Sequence, residues 1–287
     1  MKTGVIDVGG GFRGIFGAGV LDACIDKGIR FDYCIGVSAG SANLASFLGG
    51  QRGRNIKFYT EYGFRREYAS WHNFVRKKSF IDMDYVYGTL SNHDGEYPLD
   101  CAKILANPAQ FTIVACNALT GETVYLPKSC ISPDHYEAFK ASSAIPFVCH
   151  PYKVDGVPCF DGGIGDPVPV ARAFADGCDR VVLILTKPRN AVRVQKKDRF
   201  PARQLARSYP AAAEQLLARY QKYNDGVALA KRYEAEGRLL IVAPDDCCGM
   251  TTLHRTQESL MQMYDKGVRG AETIAPFLSA AAASAPR

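Results

Sequence analysis

Three glycine-bracketed segments hold the residues of this sequence best suited to chemistry. Gly36-Val37-Ser38-Ala39-Gly40 places a serine between glycines directly after an apolar run. That is the pattern of a nucleophile elbow, a sharp strand-to-helix turn that needs small flanking residues and leaves the hydroxyl exposed. Gly9-Gly10-Gly11-Phe12-Arg13-Gly14 follows another apolar run, and its unhindered backbone N–H groups suit a developing oxyanion. Phe160-Asp161-Gly162-Gly163 offers a carboxylate whose glycine neighbours permit close approach to another backbone. The same residues also read as an Asp-Gly turn closing a hairpin. Nucleophile, anion cradle and base together point to acyl transfer.

Two rival chemistries use some of the same residues. Gly9, Gly11 and Gly14 satisfy the GxGxxG dinucleotide fingerprint, and Asp32 lies near the distance of its acidic ribose partner. That acid should end the second strand, whereas Asp32 begins one, and a nucleotide site gives no reason for the serine elbow. A Ser–Asp–His triad in α/β-hydrolase order would take His254 as its third member. Such enzymes place several strands before the elbow, and here there is room for one. His72, His93, His135, His150 and His254 stand in no recognisable motif, so Asp161 is the better candidate base.

The elements that must carry these groups follow from the apolar periodicity. Residues 4–8 and 33–37 read as short strands, each feeding a glycine turn and then a helix, over 15–27 and 41–48. Two strand–turn–helix units argue for parallel strands with right-handed crossovers. Residues 111–116 and 123–126 read as a strand pair and 136–142 as a helix. Residues 151–165 read as a hairpin, 172–176 as a helix and 181–185 as a buried strand. Beyond a basic linker come helices around 204–219 and 220–236, a strand at 239–242, a helix over 256–266, and a small-residue tail, 280–287, expected to fray.

Composition narrows the class. A hydrophobic content of 47% and charged content of 22% are those of a soluble globular protein. The net charge of +6 is too mild to indicate a nucleic-acid partner. Ten cysteines without CxxC or Cys/His spacing read as free thiols of a reducing compartment, with no metal site. The N-terminus lacks a signal-peptide pattern and no apolar run reaches membrane-spanning length. The expectation is a cytoplasmic protein whose membrane contact, if any, is peripheral. No residue pattern specifies an oligomeric state.

In order and spacing the segments resemble the bacterial patatin-like phospholipases. The resemblance is carried by Gly9–Gly14, the Gly36–Gly40 elbow, Ala141-Ser142-Ser143-Ala144-Ile145-Pro146, Asp161-Gly162-Gly163 and Asp166-Pro167-Val168-Pro169-Val170. Thr120-Gly121-Glu122 is similar to the family's mid-domain turn. The resemblance implies a three-layer α/β/α patatin-like fold with a mainly parallel central sheet and a Ser–Asp dyad without histidine. Ser38 falls on the nucleophile and Asp161 on its general base. Gly10, Gly11 and Phe12 or Arg13 fall on the oxyanion loop, where Arg13 matches the family's basic residue. Neither a metal nor another cofactor is implied.

The expected division is a catalytic core over residues 1–190 and a mainly helical extension over 191–287 that packs on it. The expected activity is a serine esterase or lipid acyl hydrolase acting through an acyl-enzyme. A transacylase using the same acyl-enzyme, or a degenerate lipid-binding protein, are the alternatives. Two stretches bear on the substrate. Arg52 to Tyr87 interleaves aromatics with basic residues and reads either as a helix pair with an aromatic core face or as a cap lining an acyl groove. Lys187 to Arg207 holds eight basic residues with Asp198 as its one acid. It reads as a solvated face or as a dock for anionic head groups.

Overall fold

A computed structural model describes residues 1–77 and 79–280; Lys78 and residues 281–287 of the expected tail lie outside the described residues. Its centre is one eight-stranded sheet. The strands are β1 (Thr3–Asp7), β2 (Tyr33–Val37), β3 (Gln110–Asn117), β4 (Thr123–Pro127), β5 (Tyr152–Val154), β6 (Val157–Asp161), β7 (Arg180–Ile184) and β8 (Leu239–Val242). They run in the order β5-β6-β3-β2-β1-β7-β8, with β4 also on β3. Strands β3, β2, β1, β7 and β8 are mutually parallel, and β4, β5 and β6 join by antiparallel pairings. Central strands of a parallel sheet are covered on both faces and so read as unbroken apolar runs. Val5, Ile6, Ile35, Val182 and Leu183 are accordingly buried.

Helices cover both faces, giving the expected three-layer α/β/α fold. One core joins Phe16, Leu44, Leu260 and Met263, from helices Ile15–Asp26, Ala39–Leu48 and Gln257–Gly270. The other joins Val170, Ala173, Tyr223 and Val227, from helices Val170–Ala175 and Pro210–Ala235. The last third therefore adds strand β8 to the sheet and a helix to each face. The two long helices expected over 204–219 and 220–236 are instead Arg199–Leu205 and one continuous Pro210–Ala235. Pro210 occupies the first helical position, where its missing N–H is harmless and its φ is already helical, and no helix breaker stands at Arg219-Tyr220. Among the described residues no helix is long and apolar enough to cross a membrane.

Register on β3 explains how residues 38 and 161 come together. Val114 pairs with Val37 of β2 and with Tyr125 of β4, so those strands occupy its two edges. Ala115 pairs with Val124 of β4 and with Asp161 of β6. Strand β6 therefore lies on the same edge as β2, beginning where β2 stops. The chain leaving β2 at Ser38 and the chain leaving β6 at Asp161 meet end to end at one level of the sheet.

This junction is tight at Gly162, where a Cβ would stand 2.2 Å from the Val114 carbonyl oxygen. Gly162→Ala should force the end of β6 away from β3. The expected destabilisation is roughly 1–3 kcal/mol, the usual cost of overpacking, read as a lower midpoint of thermal unfolding. An unchanged midpoint would show that β6 is not held this closely.

Candidate active site

Ser38 turns the chain from β2 into helix Ala39–Leu48 with φ 56° and ψ −132°. A positive φ in a non-glycine residue costs on the order of 1–3 kcal/mol and persists only where the surroundings impose it. Here the Ser38 N–H donates to Ser142 Oγ at 2.9 Å, and its carbonyl accepts from Ser41 Oγ at 2.6 Å. Gly40 sits so close to β1 that a Cβ would stand 2.1 Å from the Asp7 carbonyl oxygen. The small residues that mark the elbow in the sequence are thus required by the approach of the helix to the sheet.

Asp161 ends β6 with its carboxylate beside Ser38, whose side chain is near enough to favour the charged form. Its Oδ1 also accepts the Gly163 N–H at 2.7 Å. Both Ser38 and Asp161 are buried. Burial raises the Asp161 pKa, against the opposing pull of the Ser38 and Gly163 hydrogen bonds and the charges of Arg219 and Arg193. The result is a carboxylate more basic than in water, beside a serine side chain.

The glycine loop follows β1. Gly9, Gly10 and Gly11 have φ of 60°, 122° and 61°, a succession closed to ordinary side chains. Asp7, a buried acid at the end of β1, organises the loop. Its carboxylate accepts the Gly9 N–H at 2.9 Å and the Asn43 side-chain amide at 2.9 Å, and the same Asn43 nitrogen donates to the Gly14 carbonyl at 2.8 Å. Loop and elbow helix are thereby locked together. Among the described residues the amides of Gly10 and Gly11 donate to no other group.

Of Phe12 and Arg13, the alternatives expected on the oxyanion loop, Phe12 has its amide engaged. The Phe12 N–H donates to the Thr252 carbonyl at 3.1 Å. Arg13 is buried, with one guanidinium nitrogen 3.3 Å from Thr252 Oγ1 and its Nε without a partner. Thr252 belongs to a segment for which the sequence offered no motif. The neighbouring Arg255 stacks 3.8 Å from the Phe12 ring and donates to the Gly63 carbonyl. This C-terminal stretch thus roofs the glycine loop.

Beside Ser38 lies a cavity walled mainly by Phe58, Tyr59, Tyr68, Tyr87, Ile145 and Leu253. These aromatics line the cavity and also pack in or against the apolar core, so both readings of the stretch describe part of it. No histidine borders it. Asp32 is at the opposite end of β2, where it accepts from the Thr3 N–H at 2.7 Å and hydroxyl at 2.9 Å, which removes the acid of the dinucleotide reading. All ten cysteines are free. Among the described residues no group of three or more His, Cys, Asp or Glu could hold a metal ion.

Asp7, Asn43 and Thr252 were not legible as site residues. Asp7 did leave a signal, as an acid interrupting an apolar run just before the glycine loop. Burial raises its pKa from 3.8 to about 6, equivalent to about 3 kcal/mol at neutral pH. A carboxylate with a raised folded pKa contributes stability that is complete below the unfolded value and is lost as pH rises through the folded one. Relative to wild type, Asp7→Asn should therefore gain about 2 kcal/mol between pH 4 and pH 7, whatever its offset at pH 4. Denaturant unfolding at the two pH values measures this, and a pH-independent difference would show Asp7 to be unperturbed.

A family model described as patatin-like phospholipase matches residues 8–174, and one described as a domain of unknown function (DUF6363) matches residues 209–279. The uncharacterized protein YjjU of Escherichia coli K12 is 33% identical over 194 residues, covering 65% of this chain and 52% of its own length. An uncharacterized NTE family protein of Mycobacterium tuberculosis H37Rv is 27% identical over 183 residues, covering 61% and 46%. The chain thus spans about half the length of the curated relatives it matches. The crystal structure of VipD from Legionella pneumophila aligns with a TM-score of 0.48 at 13% identity, over 95% of this chain and 66% of that one. With the first model spanning more than half of its 287 residues, the chain belongs to the patatin-like phospholipase family.

Proposed function

We propose that this protein is a serine esterase of lipid-acyl type that works through a Ser38–Asp161 dyad. The observation that supports it best is the Ser38 side chain beside the buried Asp161 carboxylate, on the wall of a cavity that Gly11 of the glycine loop also lines. Asp161 takes the Ser38 proton as Oγ attacks the ester carbonyl carbon. The N–H groups of Gly10 and Gly11 receive the oxyanion, each such donor typically contributing about 3–4 kcal/mol to the transition state. Asp161 returns the proton to the departing alkoxide, leaving an acyl-enzyme on Ser38. Water, deprotonated by the same carboxylate, then releases the acid. An alkoxide leaves more readily than an amine anion, so a lone carboxylic acid suits esters better than peptides. In this reading residues 1–190 carry the chemistry and 191–287 complete the sheet and roof the site.

A fluorophosphonate probe should label the wild type covalently and leave Ser38→Ala unlabelled. Asp161→Asn should lose ester turnover by on the order of 10³-fold or more while remaining folded. Full turnover in either variant would remove the dyad. Because the base must be ionised, kcat/KM should fall on acidification with a midpoint above the ordinary carboxylate value, following the upward shift of Asp161. The same shift has a stability consequence of opposite sense, since the ionised buried form is the disfavoured one. Asp161→Asn should unfold at or above the wild-type temperature at pH 8 and lose that advantage towards pH 4.

The basic run contributes to a membrane-facing surface in this proposal. Some of its charges are used internally, with Arg189 paired to Glu234 and Arg193 stacked 4.4 Å from the Tyr223 ring. The remainder keeps company with exposed apolar side chains, Val192 at 76%, Val194 at 59% and Phe200 at 73% exposure, beside exposed Lys196, Lys197, Arg199 and Arg203. Apolar side chains among cations suit an anionic bilayer surface, at about 1 kcal/mol for each basic residue near it. Co-sedimentation with anionic vesicles should exceed that with neutral ones at low salt and fall with added salt. Replacing Phe200 by Asp should weaken it severalfold. Equal binding to both kinds of vesicle would refute the proposal.

A further inference from the structure

The cavity beside Ser38 contains a charge that the dyad chemistry does not use. Arg54 lines it and is only 4% exposed. Its guanidinium donates to Ser91 Oγ at 2.8 Å, the Tyr97 carbonyl at 3.1 Å and Ser46 Oγ at 3.4 Å, and its Nε has no partner. Its centre lies 4.3 Å from the Phe58 ring and 5.6 Å from the Tyr97 ring. It makes no ion pair among the described residues, and the groups that favour its charge are tyrosines. Burial accordingly lowers its pKa to about 10, and the side chain stays cationic at neutral pH. A buried charge is ordinarily paired with its opposite, because the loss of hydration is otherwise uncompensated. Three of its five N–H donors are engaged by neutral oxygens, and no carboxylate is among its partners.

The position of Arg54 relative to Ser38 gives the missing anion a place in the substrate. Ser38 begins helix Ala39–Leu48, and Ala42 and Asn43 of that helix line the cavity. Ser46, which Arg54 contacts, is eight residues beyond Ser38, or about 12 Å along the helix axis at 1.5 Å per residue. The cavity is also lined by the apolar and aromatic Phe58, Tyr59, Val86 and Tyr87, and by Ser91, which Arg54 contacts. We propose that Arg54 is the specificity-determining residue of this cavity and that it receives a carboxylate at the far end of the substrate's acyl chain. The acyl group is then that of a dicarboxylic acid half-ester. An extended carbon chain advances roughly 1.3 Å per atom, given bonds of about 1.5 Å, so the span suits about six to nine carbons. The methylenes occupy the aromatic section, the ester reaches Ser38, and the terminal carboxylate supplies the counter-charge that Arg54 lacks.

This inference rests on the esterase reading for its orientation, yet binding tests it without turnover. Calorimetric titration of the Ser38→Ala protein should show monomethyl suberate binding at least about tenfold more tightly than methyl octanoate, the methyl-terminated ester of equal length, as expected for a charge-assisted contact. In the Ser38→Ala background, Arg54→Met should abolish that preference and Arg54→Lys should keep part of it. Melting temperatures of the variants provide a control. If Arg54 only pins the Ser91–Tyr97 loop, Arg54→Met lowers the melting temperature and the ligand preference is unchanged, which overturns the proposal. Equal or tighter binding of methyl octanoate by the Arg54 protein overturns it as well. Should Ser38→Ala retain full esterase activity, the hydrolase reading fails by itself, and the titration still decides the role of Arg54.

Discussion

Strands β2 and β6 share one edge of β3, and the candidate chemistry depends on that arrangement. The edge offers successive positions, so a strand arriving from one direction can stop where a strand from the other direction stops. Val37 is opposite Val114 and Asp161 opposite Ala115, which leaves the next residue of β2 beside the last of β6. A hydrogen-bonded ladder fixes such positions to a fraction of a residue, and a slip of one would turn the side chains to the other face. Two groups more than a hundred positions apart are placed by a backbone device, with no dependence on long flexible side chains. The close approach of Gly162 to Val114 is the steric cost of bringing the strands together.

Two buried carboxylates stand within this junction and their surroundings separate their roles. Asp7 is fully enclosed and spends both oxygens on the Gly9 amide and the Asn43 side chain. It works as a brace between the glycine loop and the elbow helix. Asp161 lies beside the Ser38 side chain, with cations near enough to moderate the cost of its charge. Both pKa values are raised by the same desolvation, which for Asp7 opposes stability at neutral pH and for Asp161 increases basicity. Stability is surrendered at both places to keep the loop, the elbow and Asp161 in one arrangement.

The C-terminal third is part of this machinery through contacts that carry no motif. Thr252 takes the Phe12 amide, Arg255 covers the Phe12 ring, and Leu253 closes one wall of the cavity. Arg193 and Arg219, also beyond residue 190, act on the charge of Asp161. A family match ending at residue 174 therefore stops short of residues that shape the site.

What the sequence determined by itself is what short-range sterics and periodicity determine. The elbow around Ser38, the glycine loop, the strand at Tyr33–Val37 and the final strand at Leu239–Val242 were each legible, because small residues at fixed spacing and apolar runs have few other conformations open to them. The helix boundary near Pro210 was misplaced because helical periodicity continues across both candidate breaks, and only proline's backbone preference separates them. Only the tertiary structure places Asp161 beside Ser38, since a turn aspartate and a carboxylate next to a serine have the same neighbours in the chain. It also decided that Asp7 is a brace, that Thr252 occupies the Phe12 amide and that Arg54 is buried without a counter-charge. Those facts are set by which surfaces exclude water together, and burial by distant segments leaves no periodic trace in the sequence.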